Sequence, residues 1–212
     1  MSTKSELPRT PLALAIMNLL MERPMHPYEM KSLMKTRGHD AVIRLKGGSL
    51  YDTVERLEQG GFITARQTSR DGRRPEKTVY AVTDAGREET LAWLRELLAQ
   101  PVKEYPQFAA ALAFFGALQP DEVARLLKLR ATLLDSEIAG DEKALSNFIN
   151  EIGLPRLFLI EAEYGLVLKR AELEWVRRLI RDIENGTLWI SSDQARELQA
   201  RLEPQTEGGD GH

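Results

Sequence analysis

The chain has 212 residues, of which 42% are hydrophobic and 29% are charged, and its formal net charge is −3. This composition suits ordinary folded cores, and no apolar run in it is long enough to span a membrane. Zero cysteines and only three histidines exclude disulfides, thiolate metal sites and a cysteine nucleophile, and leave little material for a zinc site. The N-terminal residues lack the apolar stretch of a secretory signal, so we expect a cytoplasmic protein.

The charge is divided unevenly between the two halves of the chain. Residues 1–100 contain 16 basic and 13 acidic side chains, a balance of +3, whereas residues 101–212 contain 13 and 19, a balance of −6. Such polarity is typical of a chain that presents one face to phosphates and the rest to solvent or to another subunit.

The first hundred residues predict a small helical domain with a β-hairpin. Apolar residues at spacings of three and four predict helices at about residues 12–20, 28–35, 50–58 and, after a cap at Thr83 or Asp84, up to Leu98. Two short runs rich in β-branched and aromatic residues, 62–65 and 77–82, flank an Asp71-Gly72 turn. Three helices, a hairpin and a helix in this order predict a winged helix-turn-helix over residues 1–100.

From Lys103 onward every predicted element is a helix. The patterns cover about residues 106–118, 121–146, 155–183 and 193–202. We therefore predict a mainly α fold with one small β-hairpin, in which an all-helical domain over residues 103–203 follows the winged helix. Residues 204–212 end in a run without apolar side chains, which predicts a disordered tail.

The predicted helix at 50–58 has an apolar and a polar face. Leu50, Val54 and Leu57 share the apolar face, and Tyr51 borders both. The polar face consists of Ser49, Asp52, Thr53 and Arg56. In a winged helix this face lies in the major groove, where Ser, Thr and Arg side chains bind base edges or phosphates. The alternative is a face that is merely solvated, since most amphipathic helices bind nothing.

The predicted hairpin tip concentrates positive charge on an arm that can reach the DNA backbone or the minor groove. Its basic residues are Arg70, Arg73, Arg74 and Lys77. The alternative is a soluble loop that is basic by coincidence. The predicted contacts to double-stranded DNA are these four side chains together with Tyr28, Lys46, Ser49, Tyr51, Thr53 and Arg56.

The last long helix carries a broad apolar stripe with steps of three or four residues. The stripe includes Leu157, Ile160, Tyr164, Leu168, Trp175 and Leu179, and a second line of Leu166, Leu173, Val176 and Ile180 widens it. So broad a surface on a small domain favours a homodimer interface, because two-fold dimers dominate among soluble oligomers. The alternative is packing against the helix at 121–146, and part of the stripe must pack there.

Four aromatic residues are candidates to line an effector pocket between the two predicted domains. They are Trp93, Phe108, Phe115 and Trp175. Aromatic residues at helical spacing are more often core residues than ligand contacts, and we favour that interpretation. The sequence contains no Ser-His-Asp, phosphate-loop or metalloprotease pattern. We therefore predict no enzyme activity, no catalytic residue, no metal and no cofactor.

Several short motifs resemble, in order and spacing, the signatures of the PadR family across residues 10–90. They are His26-Pro27-Tyr28-Glu29, Gly48-Ser49-Leu50-Tyr51, Arg56-Leu57-Glu58, Gly61-Phe62-Ile63, Arg73-Arg74-Pro75 and the run from Tyr80 to Arg87. The acidic, helical second half is similar to the C-terminal domain of the long-form members related to virulence activators, although that half has few fixed motifs.

The resemblance implies a homodimeric winged-helix regulator, usually a repressor, that dimerises through its C-terminal helices. In several members a small aromatic or lipophilic effector releases the protein from DNA. The resemblance places Ser49 and Tyr51 at the start of the recognition helix, Tyr28 in the helix before it and Arg73 in the wing. Asp52 departs from the proline that is common at its position, and puts an acidic group on the predicted DNA face. The alternatives are an enzyme or small-molecule carrier, or a protein adaptor that reuses the fold without specific DNA binding.

Overall fold

The structure is a computed structural model, and it describes residues 7–39, 43, 48–69, 77–190, 194, 196–197 and 200–201. The chain divides into two compact units, residues 1–104 and 105–212. Some predicted features lie outside the described residues, namely Lys46, Arg70, Arg73, Arg74 and the tail over 204–212.

The N-terminal unit is built from helices and one β-hairpin. In chain order its elements are α1 (Pro11–Glu22), α2 (Pro27–Thr36), α3 (Ser49–Gln59), β1 (Ile63–Ser69), β2 (Lys77–Val82) and α4 (Asp84–Ala99). This order confirms the predicted winged helix-turn-helix, with α3 in the position of the recognition helix and the hairpin as the wing.

Local capping explains where three of these helices begin. Thr10, His26 and Thr83 each accept a hydrogen bond from a backbone N–H of the following helix through the side chain, at 3.0 to 3.1 Å. Pro11 and Pro27 then occupy the first helical position, where the N–H that proline lacks would have had no partner in the helix. The helix starts are therefore determined by neighbouring residues, which is why the sequence predicts them well.

The β-hairpin differs from its prediction in two ways: β1 is longer, and β2 also pairs with a residue outside the hairpin. β1 is antiparallel to β2 and continues past the predicted end at Ala65, where the register shifts between Ala65 and Gln67 in a β-bulge. Met25, in the link between α1 and α2, exchanges two backbone hydrogen bonds of 3.1 Å with Tyr80 of β2. The wing is thus joined by its backbone to the base of the helical core.

A continuous apolar core holds the N-terminal unit together. Its fully buried large side chains come from α1, α2, α3 and the segments beside them, and are Ile16, Met17, Leu19, Met25, Met30, Met34, Leu57 and Ile63. Burying this apolar surface is the main favourable term for folding. The core fixes α3 against α1 and α2, so only one side of α3 is left for a ligand.

The elements of the C-terminal unit are all helices within its described residues. It contains α5 (Gln107–Phe114), α6 (Pro120–Asn150) and α7 (Ile160–Glu184), with short 3₁₀ turns at Phe115–Ala117 and Arg156–Phe158. These turns replace parts of the predicted helices at 106–118 and 155–183. No helix in the described part of the chain is long and apolar enough to cross a membrane.

Helices α6 and α7 form an antiparallel hairpin with a shared apolar core. Residues buried between them are Val123, Leu127, Leu134, Ile138, Leu166, Leu173, Val176, Leu179, Ile180 and Ile183. Ion pairs on one flank are Lys128–Glu184 (2.6 Å), Asp135–Arg177 (2.6 Å) and Glu142–Arg170 (2.5 Å). Residue numbers on α6 rise in this series as those on α7 fall, which is the arrangement of antiparallel helices.

Candidate nucleic-acid interface

The buried residues of α3 determine which of its side chains are exposed. Leu50, Val54 and Leu57 are at most 3% exposed and hold the helix against the core. Two residues turn an α-helix by about 200°. Asp52 and Arg56, each two residues from Val54, therefore point away from the core, and both are exposed. Among the described residues neither side chain has a hydrogen-bond or ion-pair partner, so both side chains are available to a ligand.

Thr53 does not lie on this exposed face, and the prediction that placed it there is wrong. Its side chain is 7% exposed, and its hydroxyl donates a hydrogen bond of 2.6 Å to the backbone oxygen of Ser49. A threonine hydroxyl that bonds to the carbonyl four residues earlier is satisfied without solvent, so burial costs it little. Ser49 itself is half-buried in the first turn of α3.

Two tyrosines extend the exposed surface beyond the polar face of α3. Tyr28 in the first turn of α2 is 72% exposed, and Tyr51 in the first turn of α3 is 51% exposed. A tyrosine can donate its hydroxyl to a phosphate oxygen and lay its ring against a sugar. Both residues were predicted DNA contacts, and both have their side chains accessible.

Two ion pairs join the elements around the helix-turn-helix. Arg37, after α2, donates to Glu22 at the end of α1 at 2.8 Å, and Arg23 pairs with Glu29. The hydrogen bond from Arg37 holds the pKa of Glu22 below its ordinary value, and the bond from Arg23 does the same for the pKa of Glu29. Both guanidinium groups are exposed, but each is paired with a glutamate of the protein, and neither is among the predicted DNA contacts.

The wing contributes one basic residue that the sequence analysis missed. Arg66 lies in β1 at the β-bulge, and its side chain is exposed. The prediction concentrated on the turn between the strands, yet Arg66 stands only four residues before Arg70. Of the basic residues predicted there, Lys77 is described as the first residue of β2, opposite Ser69.

The predicted effector residues divide between the two units. Trp93 is 5% exposed within the N-terminal core. In the C-terminal unit Phe108 and Trp175 meet edge to face, with ring centroids 6.3 Å apart. The Arg130 guanidinium lies 3.6 Å from the Phe108 ring centroid and also pairs with Glu172. The burial of Trp93 agrees with the favoured interpretation of that residue as part of the core.

The C-terminal unit also contains a second aromatic pair and an open groove. Phe115 packs against Trp189, with ring centroids 5.5 Å apart. An open groove of about 270 Å³ is lined by Ile138, Arg170, Leu173, Glu174, Arg177 and Arg181. None of the predicted effector residues lines this groove. The described residues contain no group of three or more His, Asp or Glu side chains arranged to hold a metal ion.

The predicted dimer stripe on α7 is partly exposed and partly internal. Its exposed members are Leu157, Ile160, Tyr164, Leu168 and Trp175. Leu179 is 8% exposed and belongs to the core between α6 and α7, so it packs within the chain and not on the exposed face predicted for the dimer interface. The second predicted line, from Leu166 to Ile180, also packs against α6. Intramolecular packing thus accounts for about half of the stripe.

The helical core, the exposed face of α3 and the two-stranded wing together define a winged helix-turn-helix protein. Residues 16–92 match the family described as "Transcriptional regulator PadR-like family". The chain is also 30% identical over 119 residues to the "Negative transcriptional regulator PadR" of Bacillus subtilis (strain 168). That alignment covers 55% of this chain and 63% of the relative.

The fold of about four fifths of the chain is similar to that of three solved structures. Bacillus subtilis PadR in complex with operator DNA has a TM-score of 0.61 and 23% identity, with 80% of this chain and 97% of that chain covered. PadR in complex with p-coumaric acid has a TM-score of 0.66 and 20% identity, with 82% and 99% covered. The Vibrio cholerae virulence activator AphA has a TM-score of 0.63 and 15% identity, with 82% and 99% covered.

Residues 16–92 therefore match the PadR-like family, and the chain continues into a long helical C-terminal region. The family consists of transcriptional regulators, which confirms the prediction that the chain is not an enzyme.

Proposed function

We propose that the chain is a homodimeric, sequence-specific DNA-binding regulator that acts in the cytoplasm. In this proposal it represses transcription from an inverted-repeat operator, and a small aromatic or lipophilic effector releases it. The observation that carries the proposal is the exposed face of α3, where Asp52 and Arg56 lie free beside an exposed Tyr51. The solved structure of PadR in complex with operator DNA supports a common mode of binding.

The N-terminal unit has the parts that duplex DNA requires. Helix α3 has 11 residues, and an α-helix with its side chains is about 10–12 Å across, which fits a major groove about 12 Å wide. Arg56 is a candidate to bind base edges, while Tyr28 and Tyr51 reach the sugar-phosphate backbone. Arg66 and the basic wing sequence from Arg70 to Lys77 supply positive charge for phosphates.

The exposed apolar side chains of α7 support dimerisation. Tyr164, Leu168 and Trp175 are spaced for one helix face, and α6 adds Leu126 and Leu133, which are likewise exposed. An apolar surface of this kind on a regulator of this size is typical of a protein-protein interface. Exposed apolar surface gains most from being covered by a partner. We therefore place the second copy on the face that carries Tyr164, Leu168 and Trp175.

A two-fold dimer would present two α3 helices to successive major grooves. The operator would then be an inverted repeat whose half-site centres are roughly 10 base pairs, or a multiple of this, apart. Each head carries little net positive charge, so we expect tight binding only when both heads are engaged.

The aromatic cluster of the C-terminal unit is the candidate effector region. Phe108 and Trp175 offer ring edges, and Arg130 offers a charged group beside them. PadR has been solved in complex with p-coumaric acid, an aromatic acid, which supports an effector of this chemical kind. In the proposed mechanism the effector favours a dimer shape whose heads no longer match the groove spacing, which is a shift between two populations.

Salt-dependent binding to duplex DNA tests the proposal. Fluorescence anisotropy would compare the full-length protein with an Arg73→Ala/Arg74→Ala variant on the same labelled duplex. We expect the variant to bind every sequence more weakly and to have a salt slope smaller by about two. An adaptor would show no salt-dependent duplex binding, and an enzyme or small-molecule carrier would keep its function in the variant.

A further inference from the structure

Asp52 is an acidic residue placed where a DNA-binding helix would be expected to avoid one. It lies in the first turn of α3, exposed and opposite the buried face. A Cβ built on Gly48 would lie 3.8 Å from Asp52 Oδ2, so the carboxylate is close to the amino end of the helix. In a helix-turn-helix this is the end whose side chains contact base edges.

The carboxylate is not neutralised by a neighbour within the described residues. Arg56 stands four residues later on α3, a spacing at which opposite charges can pair. The two side chains form no ion pair, whereas Glu55 on the same helix accepts a hydrogen bond of 3.1 Å from the Gln59 amide. Asp52 therefore offers free acceptor oxygens at the predicted DNA surface.

The chemistry of the major groove restricts what such a group can bind. An ionised carboxylate only accepts hydrogen bonds, and the phosphates on either side repel it. Guanine and thymine present acceptors at their major-groove edges, and adenine presents a donor beside the N7 acceptor. Cytosine presents the N4 amino donor without a neighbouring acceptor of its own.

We infer that Asp52 selects a cytosine in each operator half-site by accepting a hydrogen bond from its N4 amino group. The inference rests on the proposed function, since it assigns a base preference to a residue of the same interface. The competing explanation is structural, because a carboxylate in the first turn also interacts favourably with the positive end of the helix dipole. That explanation predicts an effect on stability and none on base preference.

The experiment is selection from a randomised duplex library with four full-length proteins. These are the unchanged protein, Asp52→Asn, Asp52→Ala and Glu88→Gln, the last of which removes an exposed carboxylate from α4. We expect the unchanged protein to prefer cytosine about tenfold at one position of each half-site. Asp52→Asn should change this preference to adenine, because an amide pairs with adenine N6 and N7. Asp52→Ala should lose it while the rest of the motif stays, and Glu88→Gln should select the original motif.

The outcomes separate the inference from the proposed function. If all four proteins select the same motif, or if Asp52→Ala binds every sequence more tightly by the same factor, the inference is overturned and DNA binding stands. If the unchanged protein enriches no sequence, the proposed function fails as well. Thermal melts would check that the variants are folded, and Asp52→Asn carries the test if Asp52→Ala is unstable, because asparagine keeps the shape of the side chain.

Discussion

Gly86 lies so close to Phe62 that a Cβ on Gly86 would stand 2.0 Å from the Phe62 carbonyl oxygen. The hydroxyl of Thr83, which caps α4, is 3.0 Å from the same oxygen and 2.8 Å from the oxygen of Gly61. The start of α4 is therefore fixed directly to the turn that joins α3 to β1. This junction sets the position of the wing relative to the recognition helix.

Replacing Gly86 by alanine should disturb this junction. The added methyl group would meet backbone that cannot rotate away, so we expect Gly86→Ala to lower the free energy of unfolding by about 3 kcal/mol. Urea denaturation followed by circular dichroism measures the change. Gly116→Ala is the control, because a Cβ on Gly116 would have no neighbour within 4 Å. Equal stability of Gly86→Ala and the unchanged protein would show that the junction is not closely packed in solution.

The junction also illustrates what the sequence could predict. Thr83 and Asp84 were both candidate caps, and the structure identifies Thr83 as the residue that accepts the N–H of Gly86. Helix starts depend on caps and prolines a few residues away, so a local pattern suffices. The β-bridge between Met25 and Tyr80 joins residues far apart in the chain, so no local sequence pattern predicts it.

The exposed apolar face of α7 should control assembly. Leu168 is half-exposed on that face, and an aspartate there would be buried without a partner in a dimer. We expect Leu168→Asp to weaken dimerisation roughly 100-fold in sedimentation velocity. Arg181→Asp places the same side chain on an exposed position of the same helix beside the ion-paired flank. If both variants remain dimeric, or if both become monomeric, the apolar face is not the specific interface.

Arg66 should contribute to DNA affinity without contributing to sequence preference. Its exposed position on β1 suits a phosphate contact. We expect Arg66→Ala to weaken binding to all duplexes similarly and to reduce the salt slope by about one. Anisotropy titrations at several salt concentrations would measure both, with the exposed Arg95 of α4 changed to alanine for comparison. An Arg66→Ala slope equal to that of the unchanged protein would remove Arg66 from the interface.

The ion pair of Glu22 with Arg37 should make the free energy of unfolding depend on pH. The pKa of Glu22 is held below its ordinary value of 4.5, so the pair stabilises the folded state above that pH. This contribution is lost as the pH falls through the lowered pKa. Because the pair is partly exposed, we expect Glu22→Gln to cost less than about 1 kcal/mol at pH 7.

Urea unfolding at about pH 7 and pH 3 would measure the free energy of unfolding of Glu22→Gln and of the unchanged protein. The difference between these two free energies should be smaller at the lower pH. If the difference in the free energy of unfolding is the same at both pH values, the glutamate stabilises the fold by packing alone.

The errors at the site have a physical cause as well. Thr53 is polar, and the sequence placed it on the solvent side of α3, but its hydroxyl bonds to its own helix and the side chain is buried. Leu179 and Tyr164 belong to one stripe, yet only Leu179 is covered by α6. Which members of a stripe face inward depends on where the neighbouring helix lies, and periodicity alone does not contain that information.

Two copies of the chain should bind one duplex through paired α3 helices. A hydroxyl-radical footprint on the duplex recovered by selection would show how the two copies lie on it. We expect two protected half-sites related by a two-fold axis, with centres roughly 10 base pairs, or a multiple of this, apart. A single protected half-site, or a duplex without protection, would contradict it.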